Sequence, residues 1–165
     1  MAISKITDQL YLCGIGAITR ERLTKNHIAH VINCTNKAPI FNVPGIKTTR
    51  ICVKDDSTER LDEHFDMAAD KIHETYAGGG KVLVHCALGV SRSATVCIAY
   101  LMKHHNLTLV KAHELVQKHR SIIHPNPGFW KQLVEYEKAI YGENTVQMIN
   151  SSTGLIPDIY KEGVK

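Results

Sequence analysis

Residues 81–102 read KVLVHCALGVSRSATVCIAYLM, and the middle of this stretch decides the fold. Val82, Leu83 and Val84 form a short run rich in β-branched side chains, the composition of a buried strand. Ala94, Cys97, Ile98 and Leu101 then recur at helical spacing. The segment between them, His85-Cys86-Ala87-Leu88-Gly89-Val90-Ser91-Arg92-Ser93, therefore sits at a strand-to-helix turn. Such a turn gathers backbone N–H groups around one point and adds the partial positive charge of a helix N-terminus, so it is predisposed to hold an anion. Cys86 and Arg92 bracket that point.

Working outward, residues 9–13 (QLYLC) and 30–34 (HVINC) read as strands around a helix capped by Thr19, and a further strand is expected over Thr48 to Val53. Leu61, Phe65, Ala68, Ile72 and Tyr76 share one helical face, which stops at Gly78-Gly79-Gly80. Downstream, His104-His105-Asn106 breaks the helix. Thr108 caps the next one, through Ala112, Leu115, Val116 and His119. Asn126 suits a cap and Pro127 a first helical position, with Phe129, Leu133, Tyr136 and Ile140 on one face and Gly142 just past the end.

Strands alternating with helices, then helices in series, predict an α/β fold: a central mixed sheet flanked by helices. The cysteine loop falls at the carboxyl edge of a central strand, where open α/β sheets bind ligands. Residues 1–142 are expected to form the catalytic domain. Residues 143–165, with little periodicity, are expected to pack on it as an extended tail or to fray.

The chain has 165 residues, enough for one domain with its own core, and a net charge of +4 with both signs mixed. No basic block supports nucleic-acid binding. No apolar run approaches the ~18 residues of a membrane span, so a soluble intracellular protein is expected. The five cysteines (Cys13, Cys34, Cys52, Cys86 and Cys97) have no paired spacing, which argues against a disulfide framework and for a reducing compartment. Cys13, Cys34 and Cys52 fall on strands and Cys97 on the helix after the loop, the ordinary positions of core thiols. Ten histidines include no His-Glu-x-x-His pattern, and Cys-x-x-Cys is absent too, so no metal and no organic cofactor is expected.

The loop chemistry is more specific. A thiolate is the strong nucleophile, and an ordinary thiol with pKa ~8.5 is mostly protonated at neutral pH. Converging amides, a helix N-terminus and the Arg92 guanidinium would together favour the anion. The same donors suit a phosphate seated above the sulfur. The planar fork of Arg92 can hold two phosphate oxygens as phosphorus turns trigonal bipyramidal. Gly89 permits a positive φ and a tight turn around the anion.

His85-Cys86 with Arg92-Ser93 closing a five-residue gap resembles the signature of cysteine-dependent protein tyrosine phosphatases, and Ala87-x-Gly89-Val90-Ser91-Arg92-Ser93 resembles dual-specificity phosphatases in particular. The likeness extends over Ala94 to Lys103 with its AYLMK run, Pro125-Asn126-x-Gly128-Phe129-Trp130, Gln132-Leu133-x-x-Tyr136-Glu137 and Gly154-Leu155-Ile156-Pro157-Asp158-Ile159-Tyr160. The tail is similar to small atypical members that lack a kinase-docking domain, and the resemblance covers essentially the whole chain.

It implies a protein-tyrosine-phosphatase-like fold that hydrolyses phosphotyrosine and phosphoserine or phosphothreonine through a phosphocysteine. The nucleophile carries over to Cys86, the phosphate-binding arginine to Arg92, and the hydroxyl that eases loss of the thiolate to Ser93. Ala87, Leu88, Gly89, Val90 and Ser91 would surround the phosphate, with His85 supporting the loop from below. Asn126 caps its helix or ties the active-site loop to the last helices.

A serine or threonine leaving group departs as an alkoxide, so a general acid is required. The resemblance places it on the loop before the helix that contains Phe65, which selects Asp55, with adjacent Asp56 as the alternative. An isolated aspartate with pKa near ~3.9 is only about 0.1% protonated at neutral pH, so burial or a neighbouring carboxylate is expected at the acid. Phosphorylated proteins, signalling kinases among them, are the implied partners, in the cytoplasm or the nucleus.

Four competing readings make different demands. A phosphate-reading binding module would dispense with the nucleophile or the acid, and a sulfurtransferase would lack the Arg92-Ser93 closure. Phosphoinositide phosphatases of the family resemble one another in basic loop residues, where this chain has Leu88 and Val90. A tyrosine-only phosphatase needs a longer chain with an aromatic recognition loop.

Overall fold

The computed structural model of the chain describes residues 2–163. A five-stranded sheet runs in the order β1-β2-β5-β3-β4: β1 (Ser4–Lys5), β2 (Leu10–Gly14), β3 (Ile28–Asn33), β4 (Lys47–Arg50) and β5 (Lys81–Cys86). Only β1 is antiparallel to its neighbour, which makes the sheet mixed as expected. Central β5 is paired on both edges, Leu83 facing Tyr11 of β2 and Val31 of β3. Val82, Leu83 and Val84 are fully buried. An uninterrupted apolar run is what a parallel strand covered on both faces requires.

The period of two along the strands sorts side chains between two cores. Tyr11, Cys13, Val31 and Leu83 face a small layer with Leu23 of helix α1 (Arg20–Lys25). Leu10, Leu12, Ile32, Val82 and Val84 face the large layer of α2 (Phe65–Ala77), α3 (Arg92–His104), α4 (Leu109–His119) and α5 (Pro127–Tyr141). Helix α3 stands in the middle of that layer and packs on α2, α4 and α5 as well as on the sheet. Its residues 93–102 are accordingly buried all round, not on one face alone.

The expected caps form. The Arg22 N–H donates to Thr19 Oγ1 at 3.1 Å, Lys111 N–H to Thr108 Oγ1 at 3.4 Å, and Phe129 N–H to Asn126 Oδ1 at 2.9 Å. A cap of this kind contributes about 1 kcal/mol. Gly142 ends α5 in the left-handed region at φ 76°.

Four expectations change. The strand read over Thr48 to Val53 is paired only over Lys47–Arg50, and beyond it Ile51 and Val53 turn inward while Cys52 faces out. Cys52 is thus exposed and is no core thiol. Tyr76 and Ile140 are also exposed, because the last turns of α2 and α5 run past the edge of the core. The segment after Gly142 neither frays nor extends over its described residues. It folds into the hairpin β6 (Met148–Ser151) and β7 (Gly154–Pro157), followed by the short helix α6 (Ile159–Gly163). Residues 164 and 165 of the expected tail lie outside the described residues.

That segment is fastened at both ends. Buried Glu137 accepts from the Thr145 N–H at 2.8 Å, from Thr145 Oγ1 at 2.6 Å and from the Leu109 N–H at 2.8 Å. Val146 is fully buried, and Trp130 Nε1 donates to Tyr160 Oη at 3.1 Å.

Candidate active site

Cys86 ends β5 and Arg92 begins α3, so the loop between them closes over the carboxyl edge of the sheet. Its carbonyls all point outward into fixed donors. Ala87 O accepts from the Ile15 N–H at 3.1 Å and Val90 O from the His124 N–H at 2.7 Å. Arg120 supplies the two between them, Nη2 to Leu88 O at 3.2 Å and Nε to Gly89 O at 2.8 Å. A planar trans peptide puts each following N–H opposite its carbonyl. The N–H groups of Leu88, Gly89, Val90 and Ser91 therefore turn to the inside of the loop, and the Gly89 N–H reaches Cys86 Sγ at 3.3 Å.

Sγ also lies 3.0 Å from Ser93 Oγ. Gly89 adopts φ +68°, and a Cβ there would come within 2.6 Å of the Cys13 backbone. Only glycine satisfies both constraints. Arg92 donates through Nη1 to Val53 O at 3.0 Å, which aims the guanidinium, and its buried Nε has no partner. A buried unpaired donor is costly unless a ligand completes it.

The loop after Val53 is held against the same edge. Asn126 donates through Nδ2 to Asp55 Oδ1 at 2.9 Å, and its backbone N–H donates to Ser91 Oγ at 3.0 Å. Asn126 thus caps α5 and joins the cysteine loop to the start of that helix, and its contact with the aspartate loop is one the sequence did not indicate. Asp56 is engaged elsewhere: its Oδ1 accepts from Thr58 N–H at 2.7 Å and Thr58 Oγ1 at 2.6 Å. Those hydrogen bonds hold the Asp56 carboxyl below its ordinary pKa. Asp55 is exposed, so the burial expected around the acid is not found.

His85 is buried, and burial pushes its imidazole down to about 4 despite an opposing hydrogen bond to Cys86 O. It stays neutral at physiological pH. Burial also pushes the Cys13 thiol up to about 12, and raises the thiols of Cys34 and Cys97.

Comparison with known proteins agrees with this geometry. The dual specificity phosphatase catalytic domain family matches residues 10–139. This chain belongs to that family. It is similar to dual specificity protein phosphatase 18 of Bos taurus, at 44% identity over 99% of this chain and 87% of the relative. Dual specificity protein phosphatase 14 of Homo sapiens is 42% identical over 97% of this chain and 81% of its own length. A crystal structure of a mouse putative dual specificity phosphatase complexed with zinc tungstate superposes with TM-score 0.82 and 33% identity, over 85% of this chain and 89% of that one. The chain is thus a dual specificity protein phosphatase with a fold like that of the protein tyrosine phosphatases.

Several residues of this phosphatase that shape the site escaped the sequence reading. Arg120 also donates through Nη1 to Ala2 O at 3.2 Å and Ser4 Oγ at 3.1 Å, so one guanidinium ties the N-terminal strand to the cysteine loop. A Cβ on Gly14 would stand 2.8 Å from Leu88 C, which makes that glycine a close-approach position. Gln132 bridges the aspartate loop, accepting from the Asp62 N–H at 2.9 Å and donating to Glu59 O at 2.8 Å. A Cβ on Gly128 would overlap the Ser57 carbonyl. The quoted Pro125-Asn126-x-Gly128 block signalled a helix start, and its second duty towards the aspartate loop needed the fold to be seen.

Proposed function

We propose that Cys86 is the nucleophile, Arg92 the phosphate clamp, Asp55 the general acid and base, and Ser93 the hydroxyl that eases loss of the thiolate. In the first step Cys86 Sγ bonds to phosphorus, the bond to the leaving oxygen breaks, and Asp55 protonates that oxygen. Water then attacks phosphorus and gives its proton to Asp55. The S–P bond breaks, and Ser93 Oγ, 3.0 Å from Sγ, donates to the departing sulfur. The observation that carries this reading is the loop itself, with four carbonyls turned outward around a central thiol and a buried, unpaired Arg92 Nε beside it.

The N–H groups of Leu88, Gly89, Val90 and Ser91 and the Arg92 fork meet developing phosphoryl charge without reorganisation. Nε lies buried while Nη1 is fixed on Val53 O, which suits a guanidinium posed for phosphate oxygens. For the acid, Asn126 supports Asp55 over Asp56, because it positions the first while Thr58 occupies the second. Residues 1–142 contain every one of these groups, which supports reading them as the catalytic unit and 143–165 as a segment packed upon it.

The substrates are phosphoproteins, and signalling kinases are the proposed class. The apolar Leu88 and Val90 give the loop no cation for additional lipid phosphates. A phosphate-reading module is disfavoured by the coexistence of thiol, guanidinium and carboxylate. Five free cysteines suit the cytoplasm or nucleus, where thiols stay reduced. No helix among the described residues is long and apolar enough to cross a membrane.

The purified protein is expected to release phosphate from both phosphotyrosine and phosphothreonine peptides, with EDTA without effect, as measured by phosphate release. Hydrolysis of one class only would contradict dual specificity. A loss of activity in EDTA would contradict the metal-free mechanism.

A further inference from the structure

The segment after Gly142 reaches the phosphate loop through one aromatic side chain. We propose that Tyr160 is a positioning residue for phosphoryl transfer: its ring holds His124, whose backbone N–H fixes the Val90 carbonyl and with it the Ser91 N–H inside the loop. The proposal rests on the phosphatase reading above and goes beyond it, because it gives residues 143–165 a part in the chemistry and not in packing alone.

The connection between α4 and α5 carries the second half of the loop. Arg120 Nε donates to Gly89 O at 2.8 Å, the His124 N–H to Val90 O at 2.7 Å, and the Asn126 N–H to Ser91 Oγ at 3.0 Å. Arg120 is itself held by three further contacts, and Asn126 is held by capping α5. His124 has neither support. It is exposed, in a stretch with no helix or strand to fix it, and its N–H is the only donor to Val90 O among the described residues. One planar peptide joins that carbonyl to the Ser91 N–H, so a rotation that frees the first turns the second away from the anion.

Tyr160 supplies the missing constraint. Its ring stacks on the His124 imidazole, with centroids 5.1 Å apart and planes 14° from parallel. The same ring meets buried Trp130 edge-on, at 5.6 Å and 86°, and Trp130 Nε1 donates to Tyr160 Oη at 3.1 Å. Both contacts have the geometries that aromatic pairs favour, and the hydrogen bond fixes the ring between them. The start of α6 is fastened to the strand hairpin, where the Asp158 N–H donates to Gln147 O at 2.8 Å and Asp158 Oδ1 accepts from the Gln147 N–H at 3.3 Å. From the core to the loop the path is contiguous: Trp130 to Tyr160, Tyr160 to His124, His124 to Val90 O. Packed groups in such a row can carry coupling, and a double-mutant cycle measures it.

The test uses Tyr160→Leu, Tyr160→Phe, His124→Ala and the double variant Tyr160→Leu with His124→Ala, each in the full chain. For each, kcat/KM on p-nitrophenyl phosphate, vanadate affinity and melting temperature are read, and hydrogen exchange of the His124 amide is followed in wild type and the two Tyr160 variants. Tyr160→Leu is expected to lower kcat/KM and vanadate affinity by about tenfold, a fraction of the about 10²–10³-fold that outright loss of one donor to developing charge costs. Its His124 amide should exchange faster than that of wild type. Tyr160→Phe keeps the stack and loses only the hydroxyl, so it should restore kcat/KM and vanadate affinity even where its melting temperature falls. The double variant should lose no more than the larger of the single losses, as two members of one contact do.

A Tyr160→Leu variant that melts lower yet keeps vanadate affinity and His124 amide protection would reduce Tyr160 to packing and overturn the proposal. Losses that add in the double variant, or a Tyr160→Phe variant as impaired as Tyr160→Leu, would overturn it too. Should Tyr160→Leu fail to fold, His124→Ala decides from the exposed side of the contact, and unchanged vanadate affinity there would overturn the role. Absence of turnover by wild type would instead contradict the phosphatase reading. Vanadate affinity and amide exchange need no turnover and would still decide the role of Tyr160.

Discussion

Asp55 and Asp56 are adjacent carboxylates whose hydrogen-bond partners separate them. The doubly bound Asp56 serves as an acceptor inside a turn, and Asp55 is oriented from a distant helix by Asn126. The family likeness pointed to this loop, but the choice between neighbours depends on a partner 71 positions away, which no local pattern contains. Asp55→Ala is expected to lower kcat on a phosphothreonine peptide by about 10²–10³-fold with little change in KM, because an alkoxide needs its proton in the transition state. Asp56→Ala should cost less than about tenfold, since it removes a turn contact and no proton donor. Steady-state kinetics on both variants checks this, and an equal loss would move the acid to Asp56.

At the scale of elements, β5, the cysteine loop and α3 were legible because each is local: an apolar run, a chemical signature, then a helical period. Arg120 was not legible. It lies 31 residues from the Gly89 carbonyl it holds, at a helix end where a basic residue ordinarily reads as a partner of the helix dipole. The hairpin after Gly142 was missed for a similar reason, since its short strands are set by Thr145 on Glu137 and by Tyr160 on Trp130, not by their own periodicity. Arg120 acts as a positioning residue for the loop. Arg120→Met should free the Leu88 and Gly89 carbonyls to rotate and lower kcat/KM on p-nitrophenyl phosphate by about tenfold or more. Vanadate or phosphate affinity should fall in parallel, whereas a purely structural role would lower the melting temperature and leave the anion affinity of the folded fraction intact.

For the molecule as a whole, the sheet order and the two helical layers follow from burying one strand on both faces, which the sequence displayed openly. The pH response was hidden, because it depends on which histidines become buried. Burial pushes His85 and His113 down to about 4, and lowers His30 with help from Lys71 and Lys47. The neighbours of His113 oppose one another, Glu114 raising its pKa and His124 lowering it. Unfolded imidazoles take up protons near pH ~6.5, so between that value and about 4 the unfolded chain binds more protons than the folded one. Stability contributed by these groups is full above pH ~6.5 and is lost as the pH falls towards 4. The melting temperature should therefore drop steadily from pH 7 to 5 in constant ionic strength, and His113→Asn should flatten that slope. A flat profile over this range would contradict the assignment of buried neutral imidazoles.

The central claim is that Cys86 accepts the phosphoryl group. The most direct measurement is a rapid acid quench of wild type during turnover of a phosphotyrosine peptide, with mass spectrometry to locate any covalent phosphate. Phosphate is expected on Cys86 of the wild type, in greater amount in Asp55→Ala when an aryl phosphate with a good leaving group is used, and Cys86→Ser should be without turnover. Turnover retained by a purified Cys86→Ser sample, or covalent phosphate on any other residue, would contradict the account.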